Sequence, residues 1–413
     1  MKRVAITFFS IFCFMGVILT VASAADKVLI GHPACLSGKY AKAGEQAIGG
    51  IKACIDWVNN VYGGVLIGGK RIPIEYKYYD SESKKEGVTS LIERLITVDK
   101  VNVVFSSYSS GLTLTGAPVA ERYSMLYMDH GGASDRIFQQ GFQYIVQTIG
   151  PGSKYHVGTL NMFDHFDPQA RRVALAYEDS EFARMTMGGA EKHAKKLGYT
   201  IVFKRTYPKG VTDLTPLLSD LKAKKPDIVI GGGHYEDGQL FTRQMADLDI
   251  NVKGLSLVAS VTLPAYYEAL GGRTAEGVMG PSHWEYGVTY SPEGAMKVGL
   301  DWIGPSQDEF VSLFKKALGK DMTPEYHAAE AGAQVLAYVK AVENINSLDP
   351  GKVRAALGKL KFMSFYGGWD VDDTGMQIGH SMIDMQWQKG GKRVIVWPLE
   401  AATGKVVYPK PKF

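Results

Sequence analysis

Short apolar runs rich in β-branched residues alternate with helical periodicities twice along this chain. The alternation breaks and restarts at Gly150-Pro151-Gly152. A strand covered on both faces reads as a continuous apolar run, and a strand–helix–strand order closes into a parallel sheet with right-handed crossovers. In the first run Val28–Pro33, Ile72–Tyr79, Val101–Phe105 and Met125–Met128 read as strands, with helices over Gly44–Asn60, Lys84–Val98 and Leu112–Tyr123. In the second, a leading helix over Lys154–Phe163 precedes strands at Val173–Tyr177, Thr200–Thr206, Asp227–Gly231 and Gly254–Val258. Helices at Ala183–Leu197, Leu214–Ala223 and Gly238–Leu248 fall between them. The expected fold class is α/β, with two Rossmann-like lobes that each hold a helix-covered parallel sheet. A length of 413 residues agrees, being too long for one ordinary domain. Beyond the second run come helices at Gln307–Leu318, Ala328–Asn344 and Gly351–Leu360. Strands follow at Gly368–Val371, Met382–Gln388 and Arg393–Trp397, the last two flanking the turn Lys389-Gly390-Gly391-Lys392.

The first 24 residues stand apart from this pattern. Lys2 and Arg3 precede an apolar stretch, Val4–Val21, that ends in Ala22-Ser23-Ala24. This is the layout of a secretory signal peptide, so export to the periplasm and a mature chain starting at Ala25 are expected. The formal net charge is +4, two of it from Lys2 and Arg3. The remainder is too weak a bias to argue for nucleic acid or an anionic membrane surface. Cys35 ends the first strand and Cys54 lies about ten residues into the next helix, roughly 15 Å along its axis, so two buried free thiols are expected rather than a bridge.

Chemistry concentrates in Val101–Asp135. The strand Val101–Phe105 ends in a turn of small hydroxylated residues, Ser106–Gly111, that opens the helix Leu112–Tyr123. Free amides, hydroxyls and the positive helix end there converge on one spot suited to a carboxylate. The best anion holder is Ser110 with Gly111, Leu112 and Thr113. The next strand, Met125–Met128, ends in a second small-residue loop, Gly131-Gly132-Ala133-Ser134. Two such loops at the carboxyl edge of a sheet make half of a cleft.

Motifs for other chemistry fail. Gly64 to Lys70 fits G-x-x-x-x-G-K, but Arg71 stands where Ser or Thr should bind Mg²⁺, and a helix rather than a strand precedes it. A Gly-rich hairpin turn is expected there. His234-x-Glu236 and His327-x-x-Glu330 lack metal-ligand spacing, and no nucleophile motif appears. No enzyme activity, metal or cofactor is expected.

Four motifs resemble the periplasmic solute-binding proteins of ABC importers, in the leucine/isoleucine/valine-binding group. They are Gly31-x-Pro33-x-x-Leu36-Ser37-Gly38 with Ala41, Gly44 and Gly50; Gly63-Gly64 with Gly68-Gly69-Lys70-Arg71-Ile72 and Asp80; Ser109-Ser110-Gly111 with Ala117-Pro118-Val119-Ala120-Glu121; and Ala275-Glu276-Gly277. The likeness runs from about Val28 to the end. Pro324-Glu325-Tyr326-His327-Ala328-Ala329, Asp349-Pro350-Gly351-Lys352-Val353-Arg354 and Trp397-Pro398 resemble a subgroup in which some members take aromatic or other hydrophobic acids.

The resemblance implies a type I periplasmic binding protein fold with a three-segment hinge. Residues 25–150 plus 284–366 would form one lobe, and 151–283 plus 367–413 the other. The crossings would fall near Thr148–Gly150, Gly280–Glu285 and Phe365–Trp369. The resemblance places the ligand carboxylate on Ser110, a second contact on Gly132, Ala133 and Ser134, and aromatic contacts at Phe182 and at His234 or Tyr235. The family's early aromatic contact falls at Ala43, with Tyr40 close. Its ammonium-pairing acid falls near Ala259-Ser260, where no carboxylate stands. Ser260 is retained as a contact, and Glu181, Glu236 or Asp237 are the substitutes. Because an unpaired buried ammonium is costly, this departure favours a hydrophobic carboxylate over an amino acid. Trp284, Tyr286 and Tyr326 are candidate apolar walls. The implied partners are that small carboxylate and the permease subunits of an ABC transporter, with the protein a monomer. The alternative is a ligand-sensing module of the same fold for a receptor or regulator.

Overall fold

The computed structural model describes residues 26–413, so the leader and its cleavage point lie outside the described residues. The two runs of alternation become two separate sheets. In the first, strands β1 (Val28–Ala34), β2 (Ile74–Asp80), β3 (Val103–Phe105), β4 (Tyr127–Asp129) and β5 (Ile145–Gln147) are all parallel, in the order β2-β1-β3-β4-β5. Every residue of β3, β4 and β5 is buried, which is why β3 and the start of β4 read as apolar runs; β5 was not read from the sequence. The second sheet contains β6 (Arg172–Glu178), β7 (Thr200–Tyr207), β8 (Ile228–Gly232), β9 (Gly254–Leu257), β10 (Met279–Ser282), β11 (Ile383–Gln388) and β12 (Lys392–Trp397). Its order is β12-β11-β10-β9-β8-β6-β7, with β11 and β12 added antiparallel.

Both sheets reverse their winding once. In the first, the chain steps from β1 outward to β2 and then back past β1 to β3; in the second, from β6 to β7 and back to β8. At such a switch point the loops leaving the two central strands part in opposite directions and leave a crevice. The loops concerned follow β1 and β3 in the first lobe and β6 and β8 in the second. They lead into helices α1 (Ala41–Trp57), α3 (Ser110–Arg122), α5 (Glu181–Lys196) and α7 (Tyr235–Asp247), while α2 (Lys85–Thr97) follows β2, α4 (Tyr155–Phe166) opens the second lobe and α6 (Thr215–Ala223) follows β7.

The later helices α8 (Gln307–Leu318) and α9 (Tyr326–Ile345) pack on α1. Helix α9 is buried nearly all round, and small residues let it lie close to α1. A Cβ on Gly50 would come 1.9 Å from the Ala328 carbonyl oxygen. This contact fastens the C-terminal helices to the first sheet.

Three local expectations are resolved. Val65–Ile67 and Lys70–Ile72 pair antiparallel across Gly68-Gly69, the hairpin read from the glycines. Cys35 and Cys54 are buried free thiols. The third crossing is displaced. Gly367–Trp369 does not pass between the lobes but folds back antiparallel on Phe362–Ser364. Trp369 stacks on Phe362 and donates its Nε1–H to the Leu357 carbonyl, which holds it in place. The chain then follows the edge of the first sheet, where Gly375 O accepts from Gln147 N at 2.8 Å, before entering β11 at Ile383. Among the described residues no helix is long and apolar enough to cross a membrane.

Candidate functional site

The four switch-point loops face one another across a cavity of ≈ 220 Å³. The first lobe contributes Lys39 and Tyr40 from the loop after β1, and Ser109, Gly111 and Leu112 from the start of α3. The second contributes Ser180, Glu181 and Phe182 after β6, and His234 after β8. Helices α3, α5 and α7 therefore all begin at this cavity, and each presents its positive end there. The exposed lysines Lys85 and Lys209 stand at the rim. The walls are aromatic. Tyr40 lies 4.9 Å from the His234 ring and 5.4 Å from Tyr108, and Phe182 lies 5.7 Å from His234.

The first-lobe loops are built around a residue that the sequence reading passed over. Asp129, at the end of β4, is fully buried. Its Oδ1 accepts from Ser106 Oγ (2.9 Å), Thr113 Oγ1 (3.2 Å), Gly131 N (3.0 Å) and Gly132 N (2.7 Å). Burial pushes its carboxyl up to about 7, against these hydrogen bonds. An acid two residues before Gly131-Gly132 was the available signal, because such a side chain turns back onto the amides two and three residues on.

Asp129 also alters the expected donors. The Thr113 hydroxyl and the Gly132 amide serve the carboxylate and not the cavity. Ser109, rather than Ser110, is the residue preceding the helix, and its carbonyl accepts from Leu112 N and Thr113 N. Ser110 Oγ accepts from Ser134 N at 3.1 Å, tying the two loops together, with its own proton left to donate. Gly111 faces open space. Ala133 is buried, with its carbonyl accepting from Gly152 N. Ser134 Oγ donates across the cleft to Glu181 Oε1 at 2.8 Å, and Arg136 pairs with the other oxygen of Glu181 at 2.8 Å.

In the second lobe Phe182 and His234 line the cavity, and Tyr235 does not. Tyr235 begins α7 one position too far round the helix, and its hydroxyl donates to the Ala265 carbonyl on the far side. Ser260 packs under α7, where a Cβ on Gly238 would meet its Oγ at 2.0 Å. Trp284 is hinge core, packed on Phe310 and Phe365, and Tyr286 is exposed and donates to Asp308. Tyr326 is buried and stacks on His327. Behind the cavity it joins Tyr155, His283 and Glu330, a buried polar wall in which the Tyr155 hydroxyl and both Glu330 oxygens have no protein partner. Burial, then the charges of Glu325 and Asp129, hold the Glu330 carboxyl well above its ordinary range.

A charged cluster closes the floor on the second-lobe side. Glu178, at the end of β6, is fully buried. Its Oε2 accepts from His234 Nδ1 at 2.7 Å, and its Oε1 accepts from the Lys39 ammonium of the other lobe. Asp237 accepts from His234 N (2.9 Å) and from the Tyr207 hydroxyl (2.8 Å). Burial alone would raise Glu178, but the His234 and Lys39 contacts bring it below the usual carboxylate value. Burial and the Glu178 charge raise Asp237. Neither Lys39 nor Glu178 was legible as a site residue, since the pair joins positions 139 apart.

Two α/β sheets whose switch-point loops close on one small anion-favouring cavity define a two-lobed ligand-binding protein. The chain belongs to the periplasmic binding protein family, which matches residues 27–392. It is 25% identical over 395 residues to the Leu/Ile/Val-binding protein homolog 8 of Brucella abortus (strain 2308), covering 91% of each chain. Its fold is similar to that of a solute binding protein of an ABC transporter from Rhodopseudomonas palustris BisB5, solved in complex with 3,4-dihydroxy benzoic acid. The TM-score is 0.76 at 20% identity, covering 93% of this chain and 99% of that one. It is also similar to the branched-chain amino acid transporter substrate binding protein LivJ from Streptococcus pneumoniae, solved with isoleucine. Here the TM-score is 0.73 at 20% identity, covering 94% and 100%.

Proposed function

We propose that this protein is an exported, non-enzymatic solute-binding protein. It captures a small carboxylate with an apolar or aromatic body between its lobes and delivers it to the permease of an ABC transporter. The observation that carries this reading is the cavity itself, into which the amino end of α3 projects from one lobe and Phe182 and His234 from the other. Its size of ≈ 220 Å³ suits a one-ring or short branched acid, since a cavity of about 150 Å³ holds benzene. Similarity to proteins solved with 3,4-dihydroxy benzoic acid and with isoleucine supports the same ligand range.

The carboxylate docks on Ser110 Oγ and the amides of Ser110 and Gly111, and Phe182, Tyr40 and His234 cover the body. Residues 25–150 and 284 to about 378 move as one lobe and the remainder as the other, with the third crossing at about 378–382. Ligand favours closure through the second-lobe contacts that it lacks in the open state. The protein works in the periplasm as a monomer, and the permease reads the closed outer faces.

A thermal-shift panel of branched-chain and aromatic amino acids against benzoate- and cinnamate-like acids tests this. A true ligand at a hundred times its Kd adds about 2.7 kcal/mol. If no carboxylate stabilises the protein, the reading is wrong.

A further inference from the structure

The Glu178 cluster has the composition of a cation site. Glu178, His234 and Asp237 each offer a ligand atom, these atoms lie within 4.8 Å of one another, and all three residues are buried. Two carboxyl groups and an imidazole at that spacing attract positive charge, and a buried anion left unpaired is strongly disfavoured. The cation supplied here is the protein's own. Lys39 reaches from the loop after β1, across the cleft, and places its ammonium on Glu178. Its side chain is 24% exposed against 0% for Glu178, so the charge sits at the boundary between the cluster and the open cavity. Both Lys39 and His234 line that cavity, and Phe182 packs against His234 beside them.

A ligand carboxylate held at the start of α3 would direct its body toward this end of the cavity. If its α-carbon also carried an ammonium, that charge would need an anion. Glu236 is exposed and does not line the cavity, and the acids that do stand at it are already engaged. Glu178 is paired with Lys39 and His234, Asp237 with Tyr207 and the His234 amide, and Glu181 with Ser134 and Arg136. Ser260, at the position where the resemblance leads one to look for an acid, lies under α7 and offers none. An incoming ammonium must either displace Lys39 or remain beside it as an unpaired like charge. Both are costly beside buried charges that are already paired.

We infer that Lys39 is a tethered cation that occupies the ammonium seat of the cleft, so that the protein selects carboxylates lacking an α-ammonium over the amino acids of the same skeleton. This rests on the binding function proposed above and names its selectivity. The same contact pairs the lobes, so the seat fills as the cleft closes.

Matched ligand pairs test it by titration calorimetry on the mature protein: 3-phenylpropanoate with L-phenylalanine, and 4-methylpentanoate with L-leucine. The wild type is expected to prefer the des-amino member of at least one pair by about 100-fold. Lys39→Met is expected to narrow that ratio by about tenfold or more, because Glu178 then accepts the ligand ammonium, whereas Lys39→Arg preserves it. Glu178→Gln serves as the reciprocal variant if Lys39→Met does not fold. It leaves Lys39 without its anion and is expected to widen the ratio.

Equal affinity for both members in the wild type overturns the inference while leaving the binding function intact. So does a ratio unchanged in Lys39→Met or, if that variant does not fold, in Glu178→Gln. If no member of either pair binds the wild type, the binding function proposed for this cavity fails, and the selectivity with it.

Discussion

The two lobes place a buried carboxylate at the same topological position, the carboxyl edge of a sheet beside the cleft, and handle it in opposite ways. Every hydrogen bond to Asp129 comes from within the first lobe, from Ser106, Thr113, Gly131 and Gly132 to Oδ1, while its buried Oδ2 has no partner. Its carboxyl is pushed up to about 7 by burial. Glu178 stays ionised. One of its oxygens has a partner in its own lobe, His234, while the other depends on Lys39 from across the cleft. The first arrangement fixes two loops in place whether the cleft is open or shut. The second is complete only when it is shut. A rigid receiving surface and a conditional one follow from where each acid finds its hydrogen-bond donors.

The largest test of this contrast removes the rigid element. Asp129→Ala leaves the Ser106 hydroxyl and two amides of the first-lobe loops without their acceptor, and the Thr113 hydroxyl with only the Ser107 carbonyl, and should cost about 3 kcal/mol or more, read from urea midpoints at constant m. A loss below 1 kcal/mol, on the scale of an ordinary surface substitution, would mean that the loops hold without it.

Next in size is Ser110→Ala, which removes the hydroxyl that bridges the two loops and that the proposed function assigns to the ligand carboxylate. Carboxylate affinity should fall by about 1–3 kcal/mol, and unchanged affinity in calorimetry would remove Ser110 from the site.

A third test uses the sign of proton linkage. Asp129 has a folded value raised above 3.8, so its stabilising contribution is full at low pH and is lost as pH rises toward 7. His156, buried in the second lobe with both nitrogens unpartnered, has the opposite sign. Burial lowers it from 6.5 to about 3, so its contribution is full above 6.5 and is lost as pH falls toward 3. His156→Phe should therefore remove a slope of about 1.4 kcal/mol per pH unit from the acid limb of the stability profile between those values. Parallel profiles for the two proteins would contradict this.

The smallest expected effect is a control. Tyr235→Phe alters only the hydroxyl bonded to Ala265, so ligand affinity should stay within about twofold, while stability falls by about 0.5–1.5 kcal/mol. A tenfold affinity loss would return Tyr235 to the site.

What the sequence disclosed follows the range of the interactions. The sheets were legible because buried parallel strands write themselves as local apolar runs, and the two-lobe layout because those runs restart after Gly150-Pro151-Gly152. The loops after β3 and β8 were legible because small residues and helix starts are local signals as well. The choice between His234 and Tyr235 was not, because adjacent residues at a helix start point about 100° apart and only tertiary packing decides which meets the cleft. Lys39 with Glu178 was invisible for a different reason. Nothing in either neighbourhood specifies a partner in the other lobe, and an exposed lysine is the commonest reading of such a position. The displaced third crossing has a similar origin, because the pairing of Trp369 with Phe362 is a hairpin without a strong turn signal.

The lysines around the cavity carry one further consequence, a kinetic one. Lys39, Lys85 and Lys209 surround an opening toward which three helix amino ends already point. An anionic solute therefore drifts toward the gap before it touches any wall, and dissolved salt weakens that pull over distances of about 10 Å. Ionic strength should govern how often solute arrives far more than how long it stays.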